Sequence, residues 1–124
     1  MKKIVTATAL LVSFCAHAQN NQPLEVEFDE SGCPTGVYSN DDSCGNGQDA
    51  KDEACRSNGA VVRWIPGDRI EAIEKKETSA GDLHNCRLAG SEYQCIVQGN
   101  VDDEVYYNVM AVGGCAYDPF IRIR

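Results

Sequence analysis

Histidine is nearly missing. The chain holds 2, His17 and His84, and His17 falls in an N-terminal stretch that reads as removable. A Ser-His-Asp relay therefore has one imidazole to work with, and no serine sits in a G-x-S-x-G turn. No C-x-x-C pair occurs, which sets aside thiol–disulfide exchange. Basic residues are few beside acidic ones, 11 against 19, for a formal net charge of −8. That balance opposes binding to nucleic acid or to an anionic membrane surface, and it suits a solvated surface or a basic partner. Beyond Cys15 there is no second long apolar run, so no membrane span is expected in the mature chain. Internal repeats and extended helical patterns are absent as well.

What is there begins with "MKKIVTATALLVSFCAHAQ". Lys2 and Lys3 precede an apolar run from Ile4 to Cys15, and Ala16-His17-Ala18 closes it. These are the basic, apolar and small-x-small parts of a signal peptide over residues 1–18, cleaved after Ala18. Its run is shorter than the roughly 20 residues that a bilayer span needs. Cys15 follows Phe14, where a lipoprotein signal wants a small residue. Cleavage removes Lys2, Lys3 and Cys15, taking the formal charge from −8 to −10 and leaving Cys33, Cys44, Cys55, Cys86, Cys95 and Cys115. An even set in a small exported chain reads as a disulfide framework, so the expected location is the periplasm or the cell exterior.

Residues 19–23 form a polar leader, and one domain is expected over 24–124. In "LEVEF", Leu24, Val26 and Phe28 alternate with Glu25 and Glu27, the pattern of a half-buried strand. "DESGCPTG" stops it with turn chemistry. Residues 39–59, "SNDDSCGNGQDAKDEACRSNG", offer almost nothing apolar and read as a long polar loop, with at most a helical turn near Asp49 to Cys55. Val62 and Trp64 share one strand face, and Pro66-Gly67 turns the chain. "RIEAIEKKE" reads as an irregular or edge strand. Tyr93, Cys95 and Val97 alternate in a further strand, as do Val105, Tyr107, Val109 and Ala111. In the closing "PFIRIR", Ile121 and Ile123 point to a core, while Arg122 and Arg124 face water and discourage edge pairing. Short strands between turn signals predict an all-β sandwich or barrel.

Val62 with Trp64, then Tyr106, Tyr107, Val109, Gly114, Cys115, Asp118, Pro119, Ile121 and Ile123, in that order, resemble small exported bacterial proteins of cupredoxin-like fold. The resemblance covers roughly Ala60 to Arg124. It implies a Greek-key β-sandwich whose last strand pairs within a sheet, and many such proteins have no assigned activity. It does not imply copper here. A blue-copper site needs two histidines, a cysteine thiolate and usually a methionine. His84 stands alone, Cys115 lacks the ligands that follow the copper cysteine, and Val109 fills the cysteine position of the family's Y-x-C strand. His84 is expected in an exposed loop.

Calcium is not expected either. "DSCGNGQDAKDE" places Asp42, Asn46, Gly47 and Glu53 at EF-type positions, but Cys44 stands at the third position, where a hard cation wants oxygen. No catalytic, cofactor or metal residues are therefore assigned. For the cysteines, Cys86 with Cys95 brackets a tight turn and Cys44 with Cys55 brackets the polar loop. That leaves Cys33 for Cys115, a bridge worth roughly 4–5 kcal/mol of chain entropy. The expected function is a non-enzymatic binding or structural module. The alternative is an acidic inhibitor of a basic secreted hydrolase such as a lysozyme or protease.

Overall fold

The computed structural model describes residues 22–41, 44–45 and 50–124. The signal segment 1–18 and the first part of the leader lie outside the described residues. The described strands are β1 (Leu24–Phe28), β2 (Pro34–Ser39), β3 (Ala50–Lys51), β4 (Glu53–Arg56), β5 (Val61–Ile65), β6 (Ile70–Lys75), β7 (Asp82–Ala89), β8 (Glu92–Gln98), β9 (Glu104–Ala111), β10 (Ala116–Tyr117) and β11 (Phe120–Ile123). A 3-10 turn, Gly67–Arg69, joins β5 to β6.

The protein is all-β. One sheet runs β3-β2-β1-β5-β8-β7. In the other, β9 pairs with β6 along one edge and with β10 and β11 along the other, and β11 pairs onward with β4. Two pairs are parallel, β1 with β5 and β4 with β11; the remaining pairs are antiparallel. The two sheets pack face to face and enclose one core.

Period-two alternation accounts for that core. Val62 and Trp64 from β5, Val105, Tyr107 and Val109 from β9, and Ile121 and Ile123 from β11 are all essentially inaccessible to solvent. Burying Trp64 and Tyr107 leaves an indole N–H and a phenol to satisfy. Trp64 Nε1 donates to the Tyr107 hydroxyl at 3.1 Å, and the rings meet edge to face with centroids 5.4 Å apart. Burial raises the Tyr107 pKa beyond the usual tyrosine range.

Four sequence expectations are corrected. Residues 39–59 are not one loop, because β3 and β4 lie within them. β4 has no apolar alternation to mark it in the sequence. Its place is fixed by parallel pairing with β11, and its Arg56 is buried with its guanidinium donating to the carbonyls of Cys55 at 2.9 Å and Gln22 at 2.8 Å. Asp41 lies 3.4 Å from the same guanidinium. β2 was hidden inside turn-rich "PTG", yet it forms a hairpin with β1. His84 is half-buried in β7 opposite Ile96, not in a loop. Lastly, β11 is an interior strand, so Arg122 guards no edge; it is held between Glu104 at 2.7 Å and Glu53 at 3.5 Å.

Candidate functional site

The six cysteines form three bridges: Cys33–Cys115, Cys44–Cys55 and Cys86–Cys95. These are the three pairs considered from the sequence. Three disulfides fit an oxidising, extracytoplasmic environment. The first bridge spans 82 residues and ties the β1–β2 turn to the β9–β10 turn at one end of the sandwich.

That end is built from four segments held by short-range polar chemistry. In the β1–β2 turn, Asp29 Oδ1 accepts from the Cys33 amide at 3.0 Å, the Ser31 amide at 3.0 Å and the Ser31 hydroxyl at 2.8 Å. Those donors, the Cys33 amide foremost, hold the Asp29 carboxyl below its ordinary 3.8. Gly32 sits at φ +86°, a conformation side-chain-bearing residues avoid. Next, the Gly67 amide donates to the Ser91 carbonyl at 2.7 Å, which pins the 3-10 turn to the β7–β8 turn. A Cβ on Gly67 would meet the backbone of Glu92 at 2.5 Å, so only glycine allows this approach. The Val112 amide donates to the Arg69 carbonyl at 3.1 Å, joining the β9–β10 turn to the 3-10 turn, so that these turns form one ridge. Above it, the Arg69 guanidinium lies 4.4 Å from the centroid of the Phe28 ring.

Two depressions border the ridge. One, of about 360 Å³, is lined by Glu25, Val26, Ile65, Pro66 and Ser91. The other, of about 300 Å³, is lined by Ser31, Gly32, Asp68, Arg69, Val112 and Gly113. Sequence reading identified the Pro66-Gly67 and "SGCPTG" turns but not their meeting, because the lining comes from segments far apart in the chain.

A second polar cluster covers the outer face of the β9–β11 pair. Arg122 bridges Glu104 and Glu53, the Tyr106 hydroxyl donates to Glu104, and Lys76 pairs with Asp118 at 2.8 Å. The rings of Tyr106 and Phe120 lie 5.7 Å apart. Hydrogen bonding from Arg122 lowers the Glu104 pKa, and Lys76 does the same for Asp118. Both carboxyls are thus moved away from neutrality, the wrong direction for a general acid at pH 7.

The remaining candidates stay apart. Cys44, Cys55 and Glu53 place sulfur and carboxylate atoms within 4.8 Å of one another. The two sulfurs are bonded to each other, however, and only a free thiolate ligates a metal. Asp42, Asn46 and Gly47 of the EF-type pattern lie outside the described residues. Cys115 is engaged with Cys33, while His84 stands in β7.

Comparison with protein-family models, with curated proteins and with solved structures finds no match to this chain.

Proposed function

We propose that this chain is an exported, non-enzymatic binding module that works through the end closed by Cys33–Cys115. The observation that carries the reading is the interlocking of four turns around two open depressions, a surface ordered before any partner arrives. Such ordering reduces the entropy lost on binding. The carboxylates of Asp29, Glu104 and Asp118 are committed to hydrogen bonds and ion pairs that order the surface. At finer detail the sandwich is read as a cupredoxin-like Greek key without copper. The chain's repeated crossing between the two sheets from β3 to β9 supports that topology. Export follows the signal segment 1–18, and the mature protein should begin at Gln19 by intact mass.

A photo-crosslinking residue tests the reading. Val112 is 63% exposed at the ridge, and Val101 is 69% exposed in the β8–β9 turn at the opposite end. Placed at 112 in the secreting cell, the probe should trap a discrete partner; placed at 101, it should not. Equal trapping at both positions, or none at 112, refutes the reading.

The net charge, −8 for the full chain and −10 without residues 1–18, and a ridge standing between two depressions favour one narrower reading, an acidic inhibitor of a basic secreted hydrolase. Inhibition of a lysozyme or a basic protease by the purified protein tests it, and no inhibition at micromolar concentration removes it.

A further inference from the structure

We infer that the depression beside β1 and β5 is a subsite for a lysine or arginine side chain presented by a basic partner protein. The inference rests on the binding-module reading and names the chemistry of its partner. Ile65 and Pro66 give the depression apolar walls, and Glu25 and Ser91 supply its polar lining. Glu25 points outward from β1 and is exposed. Among the described residues its carboxylate makes no ion pair or hydrogen bond. Arg63, the base on the same face of β5, pairs with Glu92 at 3.4 Å. An apolar trough with an uncompensated carboxylate matches a side chain whose methylenes cover apolar surface while its head carries positive charge. Neutral apolar ligands would leave Glu25 desolvated and unpaired, and anions would be repelled.

The wider surface agrees. Glu27 is the next outward residue of β1 and is also exposed, so a basic segment lying along this strand meets a second carboxylate. A net charge of −8, or −10 without residues 1–18, draws basic proteins toward the molecule, and the pocket then selects among them. Rigidity comes from the Gly67–Ser91 hydrogen bond and the packing of Gly67 on Glu92, which fix Pro66 and Ser91 relative to β5.

The test uses the oxidised mature protein, labelled with nitrogen-15, and N-acetyl-arginine methylamide as the probe. Amide shifts on titration should concentrate at Glu25, Ile65 and Ser91. N-acetyl-norleucine methylamide, which keeps the stem and drops the charge, should bind at least about tenfold more weakly. Glu25→Gln should weaken the arginine probe by about tenfold, whereas Glu74→Gln on β6 should leave it unchanged. Three results each overturn the subsite: shifts spread evenly over the acidic surface, norleucine binding as well as arginine, or Glu25→Gln without effect. Crosslinking from position 112 alongside any of these would show that the end binds a partner by other means; its absence as well would reject the module reading itself.

Discussion

The Tyr117 hydroxyl donates to the Asp52 carboxylate at 2.6 Å, across 65 residues of chain. Asp52 is the one residue between β3 of the first sheet and β4 of the second, and it turns the corner at φ +67°. Its other carboxylate oxygen accepts from the Val37 amide at 3.1 Å, and its carbonyl accepts from the Phe120 amide at 3.0 Å. One residue thus joins β2 and β10 through its carboxylate and the root of β11 through its carbonyl, at the corner between the sheets. Tyr117→Phe should destabilise the domain by about 1.5 kcal/mol, the order of a hydrogen bond to a charged group. Asp52→Ala should cost about 3 kcal/mol, because it also places alanine in a left-handed conformation. Asp52→Asn should fall between. Urea denaturation measures all three, and a double-mutant cycle should show the two sites to be strongly coupled.

The same hydrogen bond sets an alkaline limit. Asp52 pushes the Tyr117 pKa up to about 12 from an ordinary 10.0. A group raised on folding contributes fully below its unfolded value and loses that contribution as pH rises through the folded one. Stability should therefore fall between about pH 10 and 12, and Tyr117→Phe should remove one tyrosinate step near the top of that window. Acid has the opposite sign. Glu104 is lowered from 4.5, chiefly by Arg122, so its contribution is present above that value and fades as pH drops below it. Glu104→Gln should flatten the acid limb of the stability profile, as measured by thermal melts across pH.

Among the bridges, Cys33–Cys115 closes 82 residues and Cys86–Cys95 closes 9. Chain entropy gives the longer loop an advantage of about 2 kcal/mol. Replacing Cys33 and Cys115 by alanine should therefore lower the urea midpoint further than replacing Cys86 and Cys95. The contrast is reduced by whatever cavity the loss of Cys95, which is fully buried, leaves behind.

Gly67→Ala probes the ridge. Its new methyl meets backbone atoms of Glu92 and Tyr93 at 2.5 and 2.6 Å, so the 3-10 turn must move. A loss of about 2 kcal/mol is expected, within the range for overpacking. Amide shifts should change at Ser91 and Arg69. Gly113→Ala, which meets nothing within 4 Å, should leave both stability and shifts nearly unchanged.

Much of the core was legible because period two is a local signal. Val62 with Trp64, the inward residues of β9, and Ile121 with Ile123 could be assigned from alternation alone. β2 and β4 could not. Pro34 and Gly36 mask one, and the other is placed by pairing with a strand more than sixty residues away rather than by its own apolar pattern. The interior position of β11 was equally hidden, so Arg122 looked like an edge guard when its partners are Glu53 and Glu104. The ridge and the Glu25 depression have no sequence signature, since neither Glu25 with Ser91 nor Asp52 with Tyr117 is a near neighbour in the chain.

The most direct measurement is hydrogen exchange in the oxidised protein at the amides of Phe120, Ile123 and Val112. Phe120 donates to Asp52, Ile123 to Asp103 at 2.9 Å, and Val112 to Arg69. If the chain's last strand is interior and the ridge is locked before binding, all three should be strongly protected. Phe120 and Ile123 should then open only with global unfolding, as core amides do. Rapid exchange at Phe120 and Ile123 would contradict the interior placement of the last strand, and rapid exchange at Val112 would mean a ridge that is not preformed, which contradicts the proposed binding end.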